Sequence, residues 1–217
     1  MDVIIPTMWR APEITISALS KYLTINEIKK IIIIDNDSNK RPKVNLLNSS
    51  KIKLIDFKKN IYVNPAWNIG VQNANNSLMC LCNDDIIIDR LLLQTIYLLD
   101  LVDCSGIDLI GVRGIDRHGF LLSPFSIDKT KNLGVQSDGL FGAAMFIRKE
   151  NYKPIPDDLK VWFGDDYLVR NSKNVYTIPA NRFNICMAST INSLLKEGSD
   201  IQEIINQDIQ NWKNNYK

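Results

Sequence analysis

Asn83-Asp84-Asp85 sets two adjacent carboxylates directly after the apolar run Ser77 to Cys82. A short continuous apolar run reads as a strand buried on both faces, as in a parallel sheet. Carboxylates at its carboxyl end face the crevice where open α/β sheets bind their ligands. Side by side they repel, and together they suit a hard divalent cation held by oxygen ligands. A turn is the competing reading, because Asn and Asp favour turns and caps. Two further clusters follow apolar segments, Asp35-Asn36-Asp37 and Asp165-Asp166. Parallel strands all end on one side, so the first two clusters share an edge. Several carboxylates converging on one crevice describe a site better than unrelated turns do.

The elements that would carry them can be read from the apolar pattern. Val3 to Pro6, Lys30 to Ile34, Ile52 to Phe57, Leu78 to Cys82 and Asp108 to Val112 read as strands. Ala11 to Leu23, Trp67 to Ala74 and Leu91 to Val102 read as helices between them. This alternation predicts an α/β fold with a mostly parallel sheet flanked by helices. Beyond Gly114 the pattern predicts a hairpin at Asp116-Arg117-His118-Gly119, a loop over the site from Ser123 to Gln136, and a strand from Gly139 to Ile147. A helix is expected to begin at Asp165, its first-turn carboxylates facing the positive end of the helix dipole. Ile201 to Trp212 carries an apolar stripe at helical spacing.

The 217 residues are read as a single domain: a first half at 1–112, a second half at 113–195, and a C-terminal helix at 196–217. Lys+Arg 26 against Asp+Glu 24 leaves +2, so charge alone names no partner. No basic-then-apolar leader and no membrane-length run is seen, and a cytoplasmic location is expected. Cys80 and Cys82 are expected as buried free thiols on opposite faces of one strand. His118, the only histidine, is expected on the surface. Richness in Ile, Asn and Lys hints at a low-GC genome, bacterial or viral.

An ordered series of short motifs narrows the reading. Val3-Ile4-Ile5-Pro6-Thr7 with Arg10 is followed by Ile33-Ile34-Asp35-Asn36-Asp37-Ser38, then by Asn64-Pro65-Ala66-Trp67-Asn68-Ile69-Gly70 leading into Asn83-Asp84-Asp85. Gly142-Ala143-Ala144-Met145-Phe146-Ile147 and Trp162-Phe163-Gly164-Asp165-Asp166 complete it. Over roughly residues 1 to 170 the chain resembles a GT-A-fold, family 2-type glycosyltransferase of minimal size. The resemblance implies a GT-A, Rossmann-like sheet with a small antiparallel acceptor-side portion. It implies inverting transfer from a nucleoside-diphosphate sugar, with UDP the expected nucleotide. The 1–112 half would then bind the donor and the 113–195 half the acceptor.

By the same resemblance Pro6, Thr7, Arg10, Asp35 and Asp37 sit at the base and ribose, with Asn68 nearby. Asp85 ligates Mn2+ or Mg2+, Asp84 touches ribose or a metal-bound water, and Asn83 stands where the family often has a first carboxylate. Gly142 lets backbone approach the donor sugar. Asp166, or Asp165, takes the acceptor proton, and Trp162 stacks on a sugar. Family members often add a late histidine ligand, and Asn184 to Thr190, in that region, has none. The acceptor stays open among a glycan, a protein side chain, a lipid-linked sugar and a hydroxymethylated DNA base. A sugar nucleotidyltransferase is disfavoured because Pro6-Thr7-Met8-Trp9-Arg10 lacks the glycine-rich triphosphate grip. A non-catalytic saccharide- or nucleotide-binding module on the same fold is the other alternative.

Overall fold

The computed structural model describes residues 1–101, 107–113, 123–125, 141–179, 186–187 and 200–216. Strands β1 (Asp2–Thr7), β2 (Lys30–Asp35), β3 (Ile52–Asp56) and β4 (Leu78–Cys82) form a parallel block in the order β3-β2-β1-β4. Helices α1 (Pro12–Leu23) and α2 (Val63–Asn73) make crossovers within it. After the short β5 (Ile86–Ile87) and helix α3 (Arg90–Leu101) come β6 (Leu109–Arg113), β7 (Ser123–Phe125) and β8 (Ala144–Arg148). Helix α4 (Gly164–Asn171), β9 (Val175–Pro179), β10 (Cys186–Met187) and helix α5 (Ile201–Asn215) follow. The sheet continues β4-β8-β6-β9-β7, with β8 antiparallel to both β4 and β6.

The continuous apolar runs have a direct cause: this sheet is covered on both faces. Val3, Ile5, Ile31, Ile33, Cys80 and Cys82 enter one core, while Ile4, Ile32, Ile34, Met79 and Leu81 enter the other. Each buried branched side chain contributes roughly 1.5–3 kcal/mol of transfer free energy. Cys80 and Cys82 therefore share a face, as residues two apart on a strand must, which corrects the opposite-face expectation. Both are free and buried.

Several boundaries move for local reasons. β1 runs one residue past Pro6, which pairs with Ile34 inside the sheet. Helix α2 starts a turn before Trp67, since Pro65 is tolerated within a first turn. Its Gly70 lies against Ile4 of β1, so closely that a Cβ there would collide with that side chain. The expected strand from Gly139 is a 3-10 turn at Phe141–Ala143 followed by β8. The expected loop at Ser123 instead opens with β7, which pairs antiparallel with β9. The hairpin around His118, the stretch 126–140, and residues 184–185 and 188–190 lie outside the described residues. No described helix is long and apolar enough to cross a membrane.

Candidate active site

At the carboxyl edge of β1 and β4 a compact polar knot forms. Thr7, the last residue of β1, donates its hydroxyl to Asp84 Oδ2 at 2.6 Å. The Trp9 backbone N–H donates back to Thr7 Oγ1 at 2.9 Å, across a turn in which Trp9 holds a left-handed φ of 55°. Thr15 of α1 donates to the Asp84 carbonyl at 2.9 Å. Burial pushes the Asp84 carboxyl up to about 6; the Thr7 hydroxyl pulls it down and the charge of Asp85 adds to the rise. Asp85 beside it is 5 % exposed. The triplet is thus a buried acidic pair and not a surface turn. Arg10 sits half-buried in the turn after β1.

The second-strand cluster is organised differently. Asp35 is fully buried, accepts the Asp37 backbone N–H at 3.1 Å and takes the Arg41 Nε–H. Arg41 also reaches Asp56 at 2.8 Å, so one guanidinium ties the ends of β2 and β3. The two carboxylates hold the Arg41 charge above its ordinary pKa against the opposing effect of burial. Asp35 therefore has an ion-pair and turn role, and Asp37 lies outward with Lys40 at 3.4 Å. Asn68 braces α2: its amide donates to the Ile155 carbonyl at 2.8 Å, and its oxygen accepts from Tyr152 Oη at 2.7 Å and the Ile155 N–H at 2.9 Å. Its side chain is engaged by the 152–155 segment.

Asp165 and Asp166 occupy the first turn of α4, where carboxylates are favoured by the exposed N–H groups. Asp165 Oδ1 accepts the Asp166 N–H at 3.0 Å. Burial raises the Asp165 pKa, and the N–H groups of Asp166, of Asp165 itself and of Gly142 pull it back. A Cβ on Gly142 would sit 2.9 Å from Asp165 Oδ2, so this position requires close approach of bare backbone. One residue on, the Ala143 carbonyl accepts the Asn83 N–H at 3.0 Å. Gly142-Ala143 thus joins the two acidic clusters, touching Asn83 on one side and Asp165 on the other. β10 approaches from elsewhere in the chain and pairs with β5, with Met187 opposite Ile86, the residue after Asp85.

Trp162 is half-buried, edge-on to Phe163 at 6.2 Å, and packed against Ile201 and Ile205 of α5. Its contacts are those of helix docking. Two residues that organise the site, Arg41 and Asp208, belong to none of the motifs, and a third, Asn64, opens one without being given a role there. Arg41 lies six residues past its partner, and Asp208 looks like one more charge on an amphipathic helix.

Among the described residues no group of three or more His, Cys, Asp or Glu could enclose a metal ion. The Asp84–Asp85 pair nonetheless fits a divalent cation. It offers hard oxygen donors, its mutual repulsion and burial favour a positive neighbour, and Mg2+-type ions use one or two carboxylates when substrate phosphates complete the shell.

No family model matches the chain. No curated protein matches it either. Solved structures do. S. aureus TarS in complex with UDP has a TM-score of 0.55 at 14% identity, covering 95% of this chain and 63% of that one. A mannosyltransferase from Pyrobaculum calidifontis in complex with GDP-Man and Mn2+ has a TM-score of 0.57 at 13% identity, covering 82% of this chain and 54% of that one. The chain has the GT-A-type glycosyltransferase fold. It spans under two thirds of the length of these neighbours. At such identities the likeness establishes architecture, and the expected α/β class with its antiparallel second portion agrees with it.

Proposed function

We propose that the protein is a metal-dependent, inverting glycosyltransferase that moves a sugar from a nucleoside-diphosphate sugar, with UDP the expected nucleotide, to an acceptor hydroxyl. The observation that carries this reading is the joining of two buried acidic clusters through Gly142-Ala143 at one sheet edge. Neighbours of the same fold support it, since TarS was solved with UDP-GlcNAc and the mannosyltransferase with GDP-Man and Mn2+.

In this reading Asp85 holds Mn2+ or Mg2+, and Asp84, oriented by Thr7, faces the ribose or a metal-bound water. The bound cation supplies charge neutralisation to the departing diphosphate. Arg41 engages Asp35, and Asp37, whose partner at 3.4 Å is the exposed Lys40, is the carboxylate that accepts a base N–H. Bare backbone at Gly142 borders the sugar. Asp165 is fastened to Gly142, and Asp166 takes the proton as the acceptor oxygen attacks the anomeric carbon from the face opposite the leaving diphosphate.

A panel of UDP- and GDP-sugars with and without Mn2+ tests the reading. One sugar nucleotide should raise the melting temperature in a metal-dependent way and be slowly hydrolysed. The Asp85→Ala variant should lose both effects. Saccharide binding with no turnover of any nucleotide sugar would sink the enzymatic reading.

A further inference from the structure

The Asp165-Asp166 turn stands at the end of a segment with an unusual support. Asp208, in the middle of α5, is fully buried. Its carboxylate accepts the backbone N–H groups of three consecutive residues: Lys160 at 2.8 Å, Val161 at 2.7 Å and Trp162 at 2.8 Å. Buried carboxylates are tolerated when such donors replace water. From the opposite side Asn64 of α2, also fully buried, donates its amide to the carbonyls of Trp162 at 3.1 Å and Leu159 at 3.3 Å, while its backbone N–H reaches the Lys160 carbonyl at 3.1 Å. One side chain thus grips the N–H groups of the segment and the other grips its carbonyls.

The segment then turns through Phe163, whose φ of 62° is left-handed, and enters α4 at Gly164. A Cβ at Gly164 would collide with the Asn64 amide oxygen, so the clamp extends to the first residue of the helix bearing the two carboxylates. Phe163 is stacked on Trp212 of α5 at 4.9 Å, and Arg170 of α4 lies over the same indole at 5.0 Å. These contacts lock α4 to α5 on both sides of the acidic turn.

We propose that Asp208 is a positioning residue for sugar transfer, acting with Asn64 to set the 160–163 segment and hence the aim of Asp165 and Asp166. This rests on the functional reading above for its kinetic consequence, but not for its structural one. Misplacing a reacting group by about 1 Å suffices for a rate loss of the order of a hundredfold.

The test uses the full chain carrying Asp208→Asn, in which an amide NH2 replaces one acceptor oxygen. Asn211→Ala is the control, since Asn211 lies on the same helix and bonds the Asp158 carbonyl instead. Amide hydrogen exchange should show Lys160, Val161 and Trp162 losing protection in Asp208→Asn, together with Asp165 and Asp166, while the control keeps both sets. In nucleotide-sugar turnover, kcat should fall about tenfold to a hundredfold, with the affinity for UDP and Mn2+ unchanged. Unaltered protection of the α4 first turn would overturn the proposal whatever the activity. So would a kcat loss matched by the control, or a loss lying wholly in UDP affinity. If Asp208→Asn does not fold, Asn64→Ala reads the same amides and faces the same criteria. A wild-type protein inert toward every sugar nucleotide would sink the functional reading alone, and the exchange result would still decide the role of Asp208.

Discussion

Asp84 and Asp85 follow directly on a strand whose register with β1 is parallel and fully buried, whereas Asp165 and Asp166 stand on a two-turn helix held by side chains from α2 and α5. The first pair follows the parallel β1–β4 ladder, and the hydroxyls of Thr7 and Thr15 bond Asp84 directly. The second is held at one remove: Asn64 and Asp208 bond the preceding segment at Trp162, from 98 and 46 positions away in sequence. The first pair should therefore stay put under single substitutions near it, and the second should move when one distant side chain changes. Within a glycosyltransferase reading, this suits a rigid donor site facing an adjustable acceptor site.

The largest expected effect separates chemistry from support within the second pair. Asp166→Asn should lower kcat by about 10²- to 10⁴-fold, the contribution typical of a general base, while leaving the melting temperature close to wild type. Asp165→Asn, which loosens the contact with Gly142, should lower stability and raise the KM for donor. If the two variants exchange these signatures, the base is Asp165.

A smaller effect concerns pH and the first pair. In the metal-free protein the Asp84 carboxyl is raised from 3.8 to about 6. The folded state then binds a proton more readily than the unfolded chain, so its contribution is fully present below about pH 4 and is lost as pH rises through about 6. The size is on the order of 2–3 kcal/mol. Chemical denaturation across this window should show the loss, and Asp84→Asn should flatten it. A profile for Asp84→Asn parallel to wild type would place the titration elsewhere.

The smallest effect compares the two supports directly. Gly70→Ala presses a methyl onto Ile4 in the parallel block, and Gly164→Ala presses one onto Asn64 at the start of α4. Each should cost about 1–3 kcal/mol. Only Gly164→Ala should carry a kcat defect beyond what its stability explains, because it disturbs the polar clamp. Equal kinetic defects would erase the contrast between the halves.

The first half was legible because its constraint is local. Five-residue apolar runs buried on both faces announce parallel strands, and acidic triplets at their ends announce a ligand edge. Asp84 and Asp85 lie at such an end and are buried there, and the bare backbone of Gly142 lies close against Asp165. Distant partners could not be read this way. Arg41 engages Asp35, and Asn68 bonds Tyr152 and Ile155. Trp162 packs against α5.

Sequence alone determined the α/β class, the parallel block and the three acidic clusters, since hydrophobic periodicity and strand-end chemistry act over a few residues. Tertiary structure decided that Gly142-Ala143 links the two acidic clusters, through the Asn83 N–H on one side and Asp165 on the other. It also decided that Asp208, seemingly one charge on a solvated helix, is a buried anchor for the segment leading to Asp165. A carboxylate declares whether it titrates, pairs or caps only once folding has removed its water and chosen its donors, and those donors come from parts of the chain that no local spacing connects.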